Sequence, residues 1–126
     1  MKTVVLVIED NEQNLYLMHF LLEKHGFTVV ESKDGRTGIE TAKKVKPQLI
    51  LLDIQLPVMD GYSVAKELRR NREFDKTPII AVSSYAMVGD REKAIEVGAN
   101  DYIEKPIDPD TFIGQIKRHL PSLPKE

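Results

Sequence analysis

The residues of this chain that are able to do chemistry fall into short stretches, each at the end of a mostly apolar run. Glu9 and Asp10 follow Val4-Val5-Leu6-Val7-Ile8, and Asp53 follows Leu49-Ile50-Leu51-Leu52. Ser83 and Ser84 follow Ile79-Ile80-Ala81-Val82, and Lys105-Pro106 follows Asp101-Tyr102-Ile103-Glu104. Carboxylates brought together raise one another's pKa unless a cation compensates. An acid-rich oxygen set without histidine or cysteine suits a hard divalent ion, magnesium first, with manganese able to substitute. Magnesium keeps several waters and needs few protein ligands. Lys105 adds a second positive charge and Ser83 a hydroxyl donor. A carboxylate nucleophile, a cation, a lysine and a hydroxyl are the parts that phosphoryl transfer to an aspartate requires, because its transition state spreads charge over three oxygens.

The elements that must position these residues follow from the apolar pattern. Unbroken β-branched runs read as strands buried on both faces. Strands are predicted over 4–8, 27–30, 49–52, 79–82 and 101–104. Asp10 or Asn11 can cap a first helix carrying Leu15, Met18, Leu21 and Leu22, which Gly26 stops. Further helices are predicted over 35–45, 61–70 and 87–97. The last helix has Asp108 as its cap, Pro109 at its first position and Phe112, Ile113, Ile116 and Leu120 as its apolar stripe. Apolar strands alternating with helices mean an α/β fold, a five-stranded parallel sheet flanked by five helices. Ligands in such sheets bind outside the carboxyl ends of the strands, where all the reactive residues named above are expected.

Composition narrows the function. The chain has 126 residues, 41% of them hydrophobic and 30% charged, with a formal net charge of -2 and no cysteine. Disulfides and thiol chemistry are thereby excluded, and nothing marks a general affinity for nucleic-acid phosphates. The N-terminal apolar run is cut off by Glu9-Asp10, too early for a signal peptide. No apolar stretch approaches the ~20 residues of a membrane span, so a cytoplasmic protein is expected. One domain is expected over 1–120, with 121–126 as a short tail. His19, His25 and His119 read as isolated, and Lys117-Arg118-His119 as a complement to a helix dipole.

Five motifs together carry a family resemblance: Val7-Ile8-Glu9-Asp10-Asn11, Leu51 to Gly61 around Asp53, Ala81-Val82-Ser83-Ser84, Gly98-Ala99, and Tyr102-Ile103-Glu104-Lys105-Pro106. In this order the chain resembles response-regulator receiver domains over essentially its whole length. The start Glu9 to Asn14 and the stretch Ala86 to Asp90 look closest to stand-alone receivers of the DivK type. The resemblance implies the flavodoxin-like strand order 2-1-3-4-5 of CheY-like receivers. It implies Asp53 as phosphoacceptor, Asp10 as a direct magnesium ligand, Glu9 acting through a metal-bound water, and the Gln55 backbone carbonyl as a further ligand. It implies Lys105 paired with Asp53 and then with the phosphoryl oxygens, Ser83 and Ser84 at the switch, Tyr102 moving inward with it, and a cis bond before Pro106. Tyr85, with Gln55, is implied in setting the phosphoaspartate lifetime. Glu9 stands where aspartate is more frequent, and Ser83 where threonine is, which leaves the hydroxyl but frees its rotamers.

The implied partners are a sensor histidine kinase or histidine phosphotransfer protein and a downstream target, with no DNA-binding domain, no membrane and a monomer as the default. The implied activity is a signalling switch, not an enzyme acting on an external substrate. Helix four is expected to bury Met87, Ala94 and Val97. That turns Ile95, about 100° from Ala94, outward as a possible partner contact. A pseudo-receiver that binds partners without phosphorylation is the alternative. A phosphatase of the haloacid-dehalogenase type needs Asp-x-Asp, and the second position here is Gln55. A flavodoxin needs a phosphate-cradling loop where Glu9-Asp10 would repel phosphate.

Overall fold

The computed structural model describes residues 3–84 and 89–120. Five parallel strands form one sheet: β1 (Val4–Ile8), β2 (Thr28–Ser32), β3 (Leu49–Asp53), β4 (Ile79–Ser83) and β5 (Asp101–Glu104). Their order is β2-β1-β3-β4-β5. Helices α1 (Glu12–Lys24), α2 (Gly35–Val45), α3 (Gly61–Arg69), α4 (Asp90–Glu96) and α5 (Pro109–Arg118) connect or follow them, with a short 3-10 turn over Arg72–Phe74.

Successive strand residues point to opposite faces. Val5, Val7, Leu49, Leu51, Ile80 and Val82 therefore pack one way, against Leu15, Met18 and Leu22 of α1 and Phe112 and Ile116 of α5. Leu6, Ile8, Ile50, Leu52, Ile79 and Ala81 pack the other way, against Ile39 and Ala42 of α2, Val64 and Leu68 of α3, and Ala94 of α4. Both faces are covered, which is why the central strands read as unbroken apolar runs.

One expectation needs correction. The second strand begins at Thr28, paired with Val4, and runs to Ser32, not from 27 to 30. Phe27 is buried but precedes the ladder, while Glu31 and Ser32 extend an edge strand whose polar end gives no apolar signal. Asn11, not Asp10, caps α1, its side chain accepting from the Asn14 amide at 2.9 Å. The described part of helix four starts at Asp90; Tyr85 and Met87, like the tail 121–126, lie outside the described residues. Among the described residues no helix is long and apolar enough to cross a membrane.

Candidate functional site

Parallel register brings the carboxyl ends of β1, β3, β4 and β5 to one rim. Ile8 pairs with Leu52, Asp53 with Val82, and Ser83 with Glu104. Glu9 leaves β1 fully buried, Asp10 beside it is exposed, and Asp53 ends β3 with 2% exposure. One carboxylate oxygen from each of the three lies within 4.8 Å of the others. Asn11 takes the helix cap, so Asp10 is not committed to that task.

Lys105 arrives from the other side of the rim. Its amide continues the ladder to the Ser83 carbonyl at 2.8 Å, and the bond to Pro106 is cis. Its Nζ stands 3.5 Å from Asp53 Oδ2 and 3.0 Å from Glu9 Oε1, and it donates to Glu9 Oε2 at 3.2 Å. Oε2 also accepts from the Asn11 amide. Glu9 Oε1 is enclosed and accepts no hydrogen bond among the described residues. Burial, with the Asp53 carboxyl hydrogen-bonded beside it, pushes Glu9 up to about 7 against the pull of Lys105. A buried acid held this high and three carboxylates converging within 4.8 Å are what a hard divalent cation would satisfy, so Glu9, Asp10 and Asp53 fit a magnesium ion.

The remaining rim residues surround Asp53. Gln55 donates its amide to Asp53 Oδ1 at 2.9 Å, while its side-chain Oε1 accepts from the Ser84 amide at 2.7 Å. Ser83 is buried at the end of β4. Asp60 caps α3 through the Ser63 amide, and Gly61 lets that helix start against β3. A Cβ at Gly61 would lie 2.4 Å from the Asp53 carbonyl oxygen and 2.5 Å from Ile54 Cα. Tyr102 is already buried, in the apolar layer with Ala81, Ala94 and Ala99. Ile95 is 43% exposed on α4, with Ala94 buried beside it and Val97 half-buried.

Two histidines are not isolated, contrary to the sequence reading. His119 Nε2 lies 2.8 Å from Asp101 Oδ2, and Asp101 Oδ1 meets Arg91 of α4 at 3.2 Å. Burial alone would raise the Asp101 carboxyl, yet the His119 and Tyr102-amide hydrogen bonds and the nearby charges hold it below the usual range. His19 sits between Glu23 and Glu31 beside the exposed, stacked rings of Tyr16 and Phe20. These partners come from separate elements, so only the His19–Glu23 pair, one helical turn apart, left a signal in the sequence.

The fold and the rim define a doubly wound α/β protein with an acid, lysine and hydroxyl site at its strand ends. The model of the response regulator receiver domain matches residues 5–117, and the chain belongs to that family. It is 40% identical over 116 residues to the polar-differentiation response regulator DivK of Brucella anthropi, covering 92% of this chain and 94% of that protein. The receiver domain of the sensor histidine kinase PA1611 of Pseudomonas aeruginosa superposes with a TM-score of 0.89 at 33% identity, covering 97% of this chain and 100% of that one. That structure has magnesium coordinated in its active-site cleft. The chemotaxis protein CheY4 of Vibrio cholerae superposes with a TM-score of 0.89 at 25% identity, covering 94% and 98% of the two chains.

Proposed function

We propose that this receiver accepts a phosphoryl group on Asp53 from a phosphohistidine, carried by a sensor histidine kinase or a histidine phosphotransfer protein, in a magnesium-dependent reaction. The observation that carries the reading is a buried carboxylate with two further acids within 4.8 Å and a lysine amine 3.5 Å away. Glu9, Asp10, Asp53 and the Gln55 backbone carbonyl would hold the ion, Glu9 through a water. Magnesium, when bound there, supplies positive charge to the phosphoryl oxygens.

The chain's own groups do the rest. An Asp53 carboxylate oxygen forms the new O–P bond as the N–P bond of the donor breaks, and the electron pair leaves on the imidazole. Gln55 orients the nucleophile by holding Asp53 Oδ1. Lys105, already in contact with both Glu9 and Asp53, turns an N–H toward the incoming oxygens without leaving its place. The Ser83 hydroxyl donates to the same oxygens. The protein acts as a switch and turns over no external substrate.

The phosphoryl group adds about 1.5–2 negative charges. Drawing Ser83 toward them moves Ser84 and the chain beyond it, and the α4–β5–α5 face changes with it. Tyr102 is buried without the modification, so the switch changes how firmly that position is held and shifts a population that already exists. Ile95 on that face contacts the downstream target.

The test is incubation with acetyl phosphate, with and without magnesium, followed by intact mass, alongside Asp53→Asn. The expected result is one phosphoryl gain that needs magnesium and is absent in Asp53→Asn. No gain from acetyl phosphate or from a phosphorylated phosphotransfer domain would leave the chain a phosphorylation-independent interaction module.

A further inference from the structure

We infer that the outer edge of β2, with the exposed Tyr16–Phe20 pair beside it, receives an extended basic segment of a partner protein. The segment adds to the sheet as a further strand and lays an arginine or lysine side chain against the two rings and the Glu31 carboxylate. The inference does not depend on phosphoryl chemistry, since none of Glu9, Asp10, Asp53 and Lys105 lines the cleft concerned.

Topology leaves β2 at the margin of the sheet, paired with β1 alone. In a parallel ladder one residue gives both its N–H and its C=O to the same neighbour, and the next residue turns its own to the other side. Thr28 donates to the Thr3 carbonyl at 2.9 Å, and the Ser32 carbonyl accepts from the Glu9 amide at 2.9 Å. Thr28, Val30 and Ser32 therefore serve β1, and the peptide groups of Val29 and Glu31 point outward. Among the described residues no strand lies beyond them. The strand contains no proline and pairs over all five residues without a bulge, so two of the devices that commonly blunt an edge are missing.

The side chains beside this edge define what fits it. Val29 and Glu31 face α1: Val29 packs on the α1 layer and Glu31 meets His19. A strand added outside β2 stands about 4.8 Å further out. Its alternate side chains then project over a cleft of about 330 Å³ lined by Tyr16, His19, Phe20, Glu23 and Glu31. Tyr16 is 72% and Phe20 51% exposed, and their rings stack with centroids 6.4 Å apart and planes 17° from parallel. A single exposed ring is ordinary, but two stacked rings along an open edge offer a continuous flat surface. The sign of the cleft is set by His19, which lies 3.1 Å from Glu23 Oε2 and also contacts Glu31. Two carboxylates share one imidazole, so the cleft keeps a net negative charge whether or not His19 is protonated. A long apolar stem ending in a cation matches both properties, its stem along the rings and its charge over them and toward Glu31. An acidic segment would place like charge opposite Glu31.

The test uses the full chain and a capped hexapeptide of alternating arginine and valine, with a glutamate–valine hexapeptide as control. Binding is followed by NMR at millimolar peptide, together with sedimentation of the free protein. The arginine peptide is expected to shift the Val29 and Glu31 amides and the Tyr16 and Phe20 rings, and the glutamate peptide to shift none of them. Tyr16→Ala and Glu31→Gln alter exposed positions and should each weaken binding roughly two- to fivefold, the worth of one exposed cation–ring or cross-strand charge pair. No shift at these positions, or equal shifts from the glutamate peptide, overturns the proposal. Ring shifts without the two amides mean that a partner touches α1 and adds no strand, which also overturns it. A free protein already dimeric through β2 gives the edge to a second copy and has the same consequence.

Discussion

Replacing Glu9 by glutamine should stabilise the magnesium-free protein, and only at the higher pH. Glu9 is fully buried, and its carboxyl rises from an ordinary 4.5 to about 7 through burial and the nearness of Asp53. The folded protein thus prefers the protonated acid. The advantage is complete below 4.5 and is lost as the pH climbs through 7, where the ionised group must be held in the interior. At about 1.36 kcal/mol per pKa unit, the rise amounts to about 3 kcal/mol. Glutamine has the shape of the neutral acid and never ionises. Lys105 then faces an amide in place of a carboxylate and gives part of the gain back, so an increase of about 1–3 kcal/mol is expected near pH 8 and almost none near pH 5. Urea unfolding in EDTA at the two pH values measures it. Magnesium should narrow the comparison near pH 8. At about 100 times its dissociation constant it adds about 2.7 kcal/mol to the wild type, and less to a variant short of one carboxylate. An effect of equal size at both pH values, or a loss near pH 8 without magnesium, would refute the argument that Glu9 is a buried acid waiting for a cation.

Gly61→Ala places a methyl group against the backbone of Asp53 and Ile54, atoms that cannot turn aside. A loss of about 1–3 kcal/mol is expected from the overpacking, with slower phosphoryl gain from acetyl phosphate as α3 moves off the end of β3; thermal unfolding and timed intact mass read the two effects. Ile95→Asp changes an exposed position on α4 and should leave unfolding within about 0.5 kcal/mol of the wild type. Its affinity for the downstream target, once that target is in hand, should fall, and an unchanged affinity removes Ile95 from the docking face.

The sequence displays most of the sheet because burial on both faces leaves a plain mark. Val4 to Ile8 and Leu49 to Leu52 are apolar at every position, for the physical reason that helices cover both sides. The rim is legible for a related reason: Glu9, Asp53 and Ser83 each interrupt an apolar run at a strand end. The edge strand β2 is read poorly because half of it faces water and its final residues are polar. The contacts of Gln55 with Ser84, of His119 with Asp101 and of Arg69 with Asn100 leave no trace, since each joins groups from different elements. A propensity or a period is a property of one segment; such contacts exist only after the sheet has set the register.

The carboxylate of Asp101 has a practical consequence. It touches Arg91 on α4 through one oxygen and His119 at the end of α5 through the other. The imidazole therefore sits in electrical contact with a helix that is distant from it in sequence. Any displacement of α4 that loosens Arg91 alters the field at the His119 ring, whose proton and nitrogen resonances are among the simplest to resolve in a protein with three histidines. The molecule carries its own spectroscopic gauge of the α4–β5–α5 face, readable without a label and without knowing what binds there.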